Sequence, residues 1–216
     1  MIALFRTALI AIGVSLAQLL PSGSEAEPMR VNGITFSDEL GGFEITGVSG
    51  SGTQADPFVV HENITTVSAD VILVIRDIDP KIGNLVGTHH AFAFVLNKVV
   101  TNKTPRAWTR FALELREVLA TYSPYGDGLS FGQASTAGRP YVSPQFGATS
   151  EIEEPYDQLE FTGGHIQPGA SVSMTFVISD ASPEAIFYLL QQPGQVIAGI
   201  PGPQIAQTPE KPRKSQ

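Results

Sequence analysis

Ser171-Val172-Ser173-Met174-Thr175-Phe176-Val177-Ile178-Ser179 is the stretch whose reading sets the fold class. Val172, Met174, Phe176 and Ile178 share one parity; Ser171, Ser173 and Thr175 share the other. Successive side chains of an extended chain point to opposite faces, so this period of two predicts a strand with one buried face. Further back, Ala91–Val100 (A-F-A-F-V-L-N-K-V-V) sets Phe92, Phe94 and Leu96 against Ala91, Ala93 and Val95. Both parities are apolar there, as in a strand buried on both faces. Val71–Ile78 reads the same way and is ended by Asp79-Pro80, since the residue before proline is pushed out of helical geometry.

Shorter pieces extend the pattern. Val31–Phe36, Phe43–Val48, Pro57–His61, Ile64–Val67 and Leu159–Phe161 are strand candidates, with Asp38–Gly42 and Gly163–Gly169 as turns and Gly47–Thr53 as a flexible loop. Trp108–Leu119 admits two periods. Phe111, Leu113 and Leu115 alternate with polar positions, whereas Thr104-Pro105 followed by Trp108, Phe111, Leu115 and Val118 suits a capped helix. The strand is the first reading and the helix its alternative. Ile186–Gln191 is a closing strand, although Ser182-Pro183-Glu184 also offers a helix start. Tyr122–Pro155 shows no period and is expected as one long irregular loop.

Composition agrees with a β architecture. The 216 residues include 21 Gly and 16 Pro, and only 16% are charged. No fixed long repeat and no βαβ alternation are present, so the expected fold is all-β, a two-layer antiparallel β-sandwich. The formal net charge of −8 argues against a nucleic-acid or anionic-membrane partner. Zero cysteines exclude disulfides, thiolate zinc sites and thiol nucleophiles.

Residues 1–26 read as a signal peptide: Arg6, an uncharged apolar run Thr7–Leu20, the breaker Pro21, and small residues Ser24 and Ala26 before a cleavage after Ala26. An uncleaved anchor is the alternative, although the run is short for a span. The expected organisation is therefore signal 1–26, sandwich 27–200 and a Pro-rich disordered tail 201–216. The mature chain carries no apolar span and is expected to be secreted or periplasmic.

Val99-Val100-Thr101-Asn102-Lys103-Thr104-Pro105-Arg106-Ala107-Trp108-Thr109-Arg110-Phe111, then Gly126–Phe131, Ile166–Gly169 and Phe187–Pro193, resemble a group of exported bacterial Ig-like β-sandwich proteins, many bearing a PEP-CTERM sorting tail. The resemblance covers residues 90–193. It implies that Trp108–Leu119 and Ile186–Gln191 are strands, and it implies no catalytic residues. The chain lacks the apolar span followed by Arg that ends such tails, so the anchoring inference does not carry over.

Candidate chemistry is sparse. Asp77 and Asp79, two apart at a strand end, and Asp127, between glycines, are the carboxylates suited to calcium; no D-x-[DN]-x-[DN]-G loop supports them. Solvated turn aspartates are the competing reading. His89-His90 would point to opposite faces of a strand and lacks metal-ligand spacing. Glu151, Glu153, Glu154 and Asp157 could hold a glycosidase pair or line a solvated surface. No G-x-S-x-G, P-loop or dinucleotide fingerprint occurs. Asn63-Ile-Thr and Asn102-Lys-Thr match glycosylation sequons. Tyr122, Tyr125, Phe131, Tyr141, Phe146 and Tyr156 stud the long loop, either as a surface for a protein or glycan partner or as a cap folded onto an open end of the sandwich. The function expected is a non-enzymatic exported binding or structural module without a cofactor. A secreted hydrolase using loop carboxylates and a calcium-stabilised adhesion module are its rivals.

Overall fold

The computed structural model describes residues 27–66, 71–79, 81–132, 141–152 and 156–195; for Tyr125 it describes the backbone alone. The expected signal segment and tail lie outside them, as do Glu153 and Glu154. Twelve strands follow in order: β1 Met29–Val31, β2 Ile34–Ser37, β3 Phe43–Ser49, β4 Phe58–Ile64, β5 Val71–Arg76, β6 Phe92–Asn102, β7 Trp108–Arg116, β8 Leu129–Ser130, β9 Ala148–Ile152, β10 Gln158–Ile166, β11 Ser171–Asp180 and β12 Ile186–Gly194. One 3-10 turn spans Tyr125–Asp127. No helix of the described residues is long and apolar enough to cross a membrane.

The strands form a β-sandwich. One sheet runs β1-β2-β5-β12-β7-β10-β9 and the other β3-β4-β6-β11-β8. Pairing is antiparallel everywhere except between β4 and β6, which run parallel with Val60 opposite Lys98 and Glu62 opposite Val100. The parity of β11 holds: Val172, Met174, Phe176 and Ile178 are buried in the core between the sheets. Facing them are Leu73 and Ile75 of β5, Leu113 and Leu115 of β7, and Phe187 and Leu189 of β12. Phe36 packs edge-on to Phe58 (5.7 Å), and Phe58 to Phe94 (5.5 Å), so an aromatic chain ties β2 in one layer to β4 and β6 in the other. Burying each such side chain contributes about 1.5–3 kcal/mol.

Several sequence expectations need correction. Val31–Phe36 is not one strand: Asn32 (φ 42) and Gly33 (φ 88) form a left-handed two-residue turn between β1 and β2. An Asn-Gly pair is favoured there because both positions need positive φ. β4 takes in Phe58–His61 and runs on through Ile64; Thr65 and Thr66 lie beyond the strand, and Val67 falls outside the described residues. The loop Gly47–Thr53 is fixed, with Ser51 N and Thr53 N donating to the Asp56 carbonyl. Gly50 (φ +89) lies against Pro57, where a Cβ would overlap the carbonyl oxygen. Within Tyr122–Pro155 the chain forms the 3-10 turn, β8 and β9, so the long loop is partly ordered into sheet. The two-period segment Trp108–Leu119 is a strand over Trp108–Arg116.

Candidate functional site

The loop aromatics divide into two groups. Phe131 and Phe146 are core residues, and Phe131 packs edge-on to Phe176 at 5.6 Å. Their assignment to a binding surface is therefore corrected: they close the sandwich from inside. Tyr141 packs partly buried against the same core, its hydroxyl within reach of the Phe131 carbonyl and of Glu151 Oε1 at 2.9 Å. That contact spends Glu151 on positioning the loop.

Tyr122 and Tyr156 form the second group. Gln158 pairs with Glu114, so the chain entering β10 passes the chain leaving β7. The two tyrosines meet there in an edge-to-face pair, 4.3 Å between ring centroids at 85°. Arg116, the last residue of β7, lies over the Tyr122 ring at 5.1 Å. It is held in place from two sides: Nε donates to Glu114 Oε1 (2.7 Å) and an Nη1–H to the Leu119 carbonyl (2.8 Å). Tyr122 is 54% exposed and Val118 59%. Here a cation and two aromatic rings reach solvent on a fixed frame, an arrangement that offers stacking area at small entropic cost.

The same β7 exit carries an acidic cluster. Burial, then the like charges of Asp127, Asp180 and Glu184, push Glu117 up to about 7. Burial, with Asp127 and Glu184 adding to it, pushes Asp180 up to about 6. Asp127 is engaged locally, accepting from the Ser123 hydroxyl at one oxygen and from Leu129 N (3.0 Å) at the other.

Asp77 and Asp79 do not share a side. β5 stops at Arg76, and Asp77 takes a left-handed φ of 54, which breaks the two-residue alternation. Asp77 lies near Arg30 (3.7 Å) and Arg76 (4.0 Å), whereas Asp79 accepts from Lys81 N (2.9 Å). Among the described residues no group of three or more His, Asp or Glu is arranged to hold a metal ion. His89 and His90 precede β6 rather than opening it. Burial lowers the His90 pKa, a backbone bond with Ser179 opposing.

Asn102 is fully buried, and its amide donates to the carbonyls of Arg106 (2.8 Å) and Ile166 (3.0 Å). Its Oδ1 accepts from Thr104 N (2.9 Å) and Oγ1 (2.6 Å). That sequon is thus a buried turn anchor, with no nitrogen free to carry a glycan.

Sequence reasoning passed over three residues. Glu62, Lys98 and Gln191 occupy inward parities among Phe58, Val60, Leu96, Val100 and Leu189, and each is buried. The signal was present: Lys98 continues the parity of Phe94 and Leu96, a position where a charge is unexpected.

No protein-family model matches the chain, and no solved structure matches it. Among curated proteins it is 32% identical over 105 residues to the SH3 and multiple ankyrin repeat domains protein 1 of Rattus norvegicus. That match takes in 44% of this chain but spans only 5% of the rat protein.

Proposed function

We propose that this chain is an exported, non-enzymatic β-sandwich module of the cell envelope or extracellular matrix that binds a protein or glycan through the Tyr122–Tyr156 surface. The observation that carries the binding reading is the aromatic pair, Tyr122 exposed and Tyr156 half-buried, with Arg116 held over Tyr122. An aromatic face beside an oriented guanidinium suits the apolar side of a sugar ring together with its hydroxyls, or a polar polypeptide edge. Two rigid rings lose little freedom on binding.

Export rests on the N-terminal sequence, and Edman sequencing of the secreted chain should begin at Glu27. The binding reading is tested by a glycan array and by titration of the hits with the mature chain. The double variant Tyr122→Ala/Tyr156→Ala should lose binding at least tenfold while keeping its melting midpoint near the parent's. Equal binding by parent and variant would move the function away from this surface.

A further inference from the structure

Lys98 and Glu62 lie on the only parallel strand pair among the described strands, diagonal to each other on the core face. Lys98 Nζ contacts Glu62 Oε1, and both side chains are 0% exposed. The second carboxylate oxygen, Glu62 Oε2, has no hydrogen-bond partner among the described residues. Around them on the same strands are Phe58, Val60, Ile64, Phe94, Leu96 and Val100. A full ion pair there is expensive, because desolvating two charges outweighs their attraction unless the remaining lone pairs are satisfied. The neutral pair, a free amine against a carboxylic acid, avoids that cost. Burial drives Lys98 in this direction, holding its pKa below the usual ammonium value, with the Glu62 carboxylate opposing. Two neighbouring strands thus hold an amine and a carboxyl group together, and such orientation supplies a high effective concentration.

We propose that Lys98 and Glu62 condense into an amide that cross-links β4 and β6 inside the core. The lone pair of neutral Lys98 Nζ attacks Cδ of the protonated Glu62 carboxyl group, forming a C–N bond. A proton passes from the nitrogen to the hydroxyl oxygen, the C–O bond breaks, and water leaves. Nothing is oxidised or reduced, and no co-reactant is needed. The product replaces a half-satisfied carboxyl group with an amide. It gives a chain without cysteine a covalent staple closing residues 62 to 98.

The test is a tryptic peptide map of the purified full chain after denaturation. The expected species joins Val31–Arg76 to Ile82–Lys103, uncut after Lys98 and lighter than the two peptides by one water, about 18 Da. Separate linear peptides, with cleavage after Lys98, overturn the proposal. A link from Lys98 to Gln191 with loss of ammonia, about 17 Da, also overturns the Glu62 assignment; Gln191 is a buried amide whose polar atoms have no hydrogen-bond partner among the described residues. Lys98→Arg puts a permanently protonated, non-condensing group in the same place and should yield no cross-linked species, and the apolar double variant Lys98→Met/Glu62→Leu should fold without it. Persistence of the joined peptide in either variant would show that another residue pair makes it. The map of the unmodified chain decides the matter even where a variant fails to fold.

Discussion

The indole Nε1–H of Trp108 donates to Thr104 Oγ1 at 3.2 Å, four residues upstream. Thr104 is itself held by Asn102, and Asn102 N donates to the Ala170 carbonyl, so the turn between β6 and β7 is fastened to the turn between β10 and β11. Trp108 is buried against Phe111, their centroids 5.8 Å apart. Trp108→Ala should destabilise by about 3–5 kcal/mol, chiefly from the cavity that the indole leaves, since Thr104 Oγ1 keeps its bond to Asn102 Oδ1. Urea denaturation measures it; a loss under ~1 kcal/mol would place the indole outside the core's energetics.

The divided loop aromatics make a contrast in the same assay. Phe131→Ala and Phe146→Ala each remove a buried ring and should cost about 3–5 kcal/mol. Tyr122→Ala removes an exposed ring and one aromatic pair, a cost of about 0.5–1.5 kcal/mol. Equal losses at Phe131 and Tyr122 would contradict the division between closure and surface.

Gly50 should tolerate no side chain. Its φ of +89 is strained for any other residue, and a Cβ would overlap the Pro57 carbonyl oxygen. Gly50→Ala should therefore cost about 1–3 kcal/mol from backbone strain, before the overlap is relieved. Gly47, with open space around its Cα, is the control: Gly47→Ala should shift the midpoint far less.

The acidic cluster predicts a pH slope. Glu117 and Asp180 have folded pKa values of about 7 and about 6, against ordinary values of 4.5 and 3.8. The folded state therefore binds more protons than the unfolded chain between those limits, and stability must fall as pH rises through the window. What the two groups contribute is intact below pH about 4 and gone above pH about 7. His90, whose pKa is lowered, acts in the opposite sense, losing stability as pH falls through 6.5. Thermal melts of Asp180→Asn beside the parent isolate the cluster. The variant should gain midpoint relative to the parent from pH 5 to pH 8, and a constant difference would mean that the Asp180 carboxyl group titrates normally.

Much of the architecture is legible from period alone. Ser171–Ser179 and Ala91–Val100 announce β11 and β6 because a sandwich interior accepts one parity of apolar side chains and little else. Trp108–Arg116 requires more, since Trp108, Phe111 and Leu115 also fit a helical spacing beside the strand reading; pairing with β10 and β12 decides for the strand. β9 is illegible because it is an edge strand paired on one side only, exposed over Ala148–Ser150, and such a stretch has no apolar alternation to show. The aromatic surface was half legible. Six rings marked the loop, but only strand register decides that Tyr122 meets Tyr156 while Phe131 turns inward. Glu62 and Lys98 escaped because their partnership crosses 36 residues and depends on a parallel pairing that no local pattern announces.

β12 carries one more implication. The last of the described strands is inserted between β5 and β7, in the interior of the larger sheet. Until residue 194 is delivered, that layer is two unconnected halves, each offering a raw hydrogen-bonding edge. The larger sheet therefore becomes continuous only once β12 has joined it.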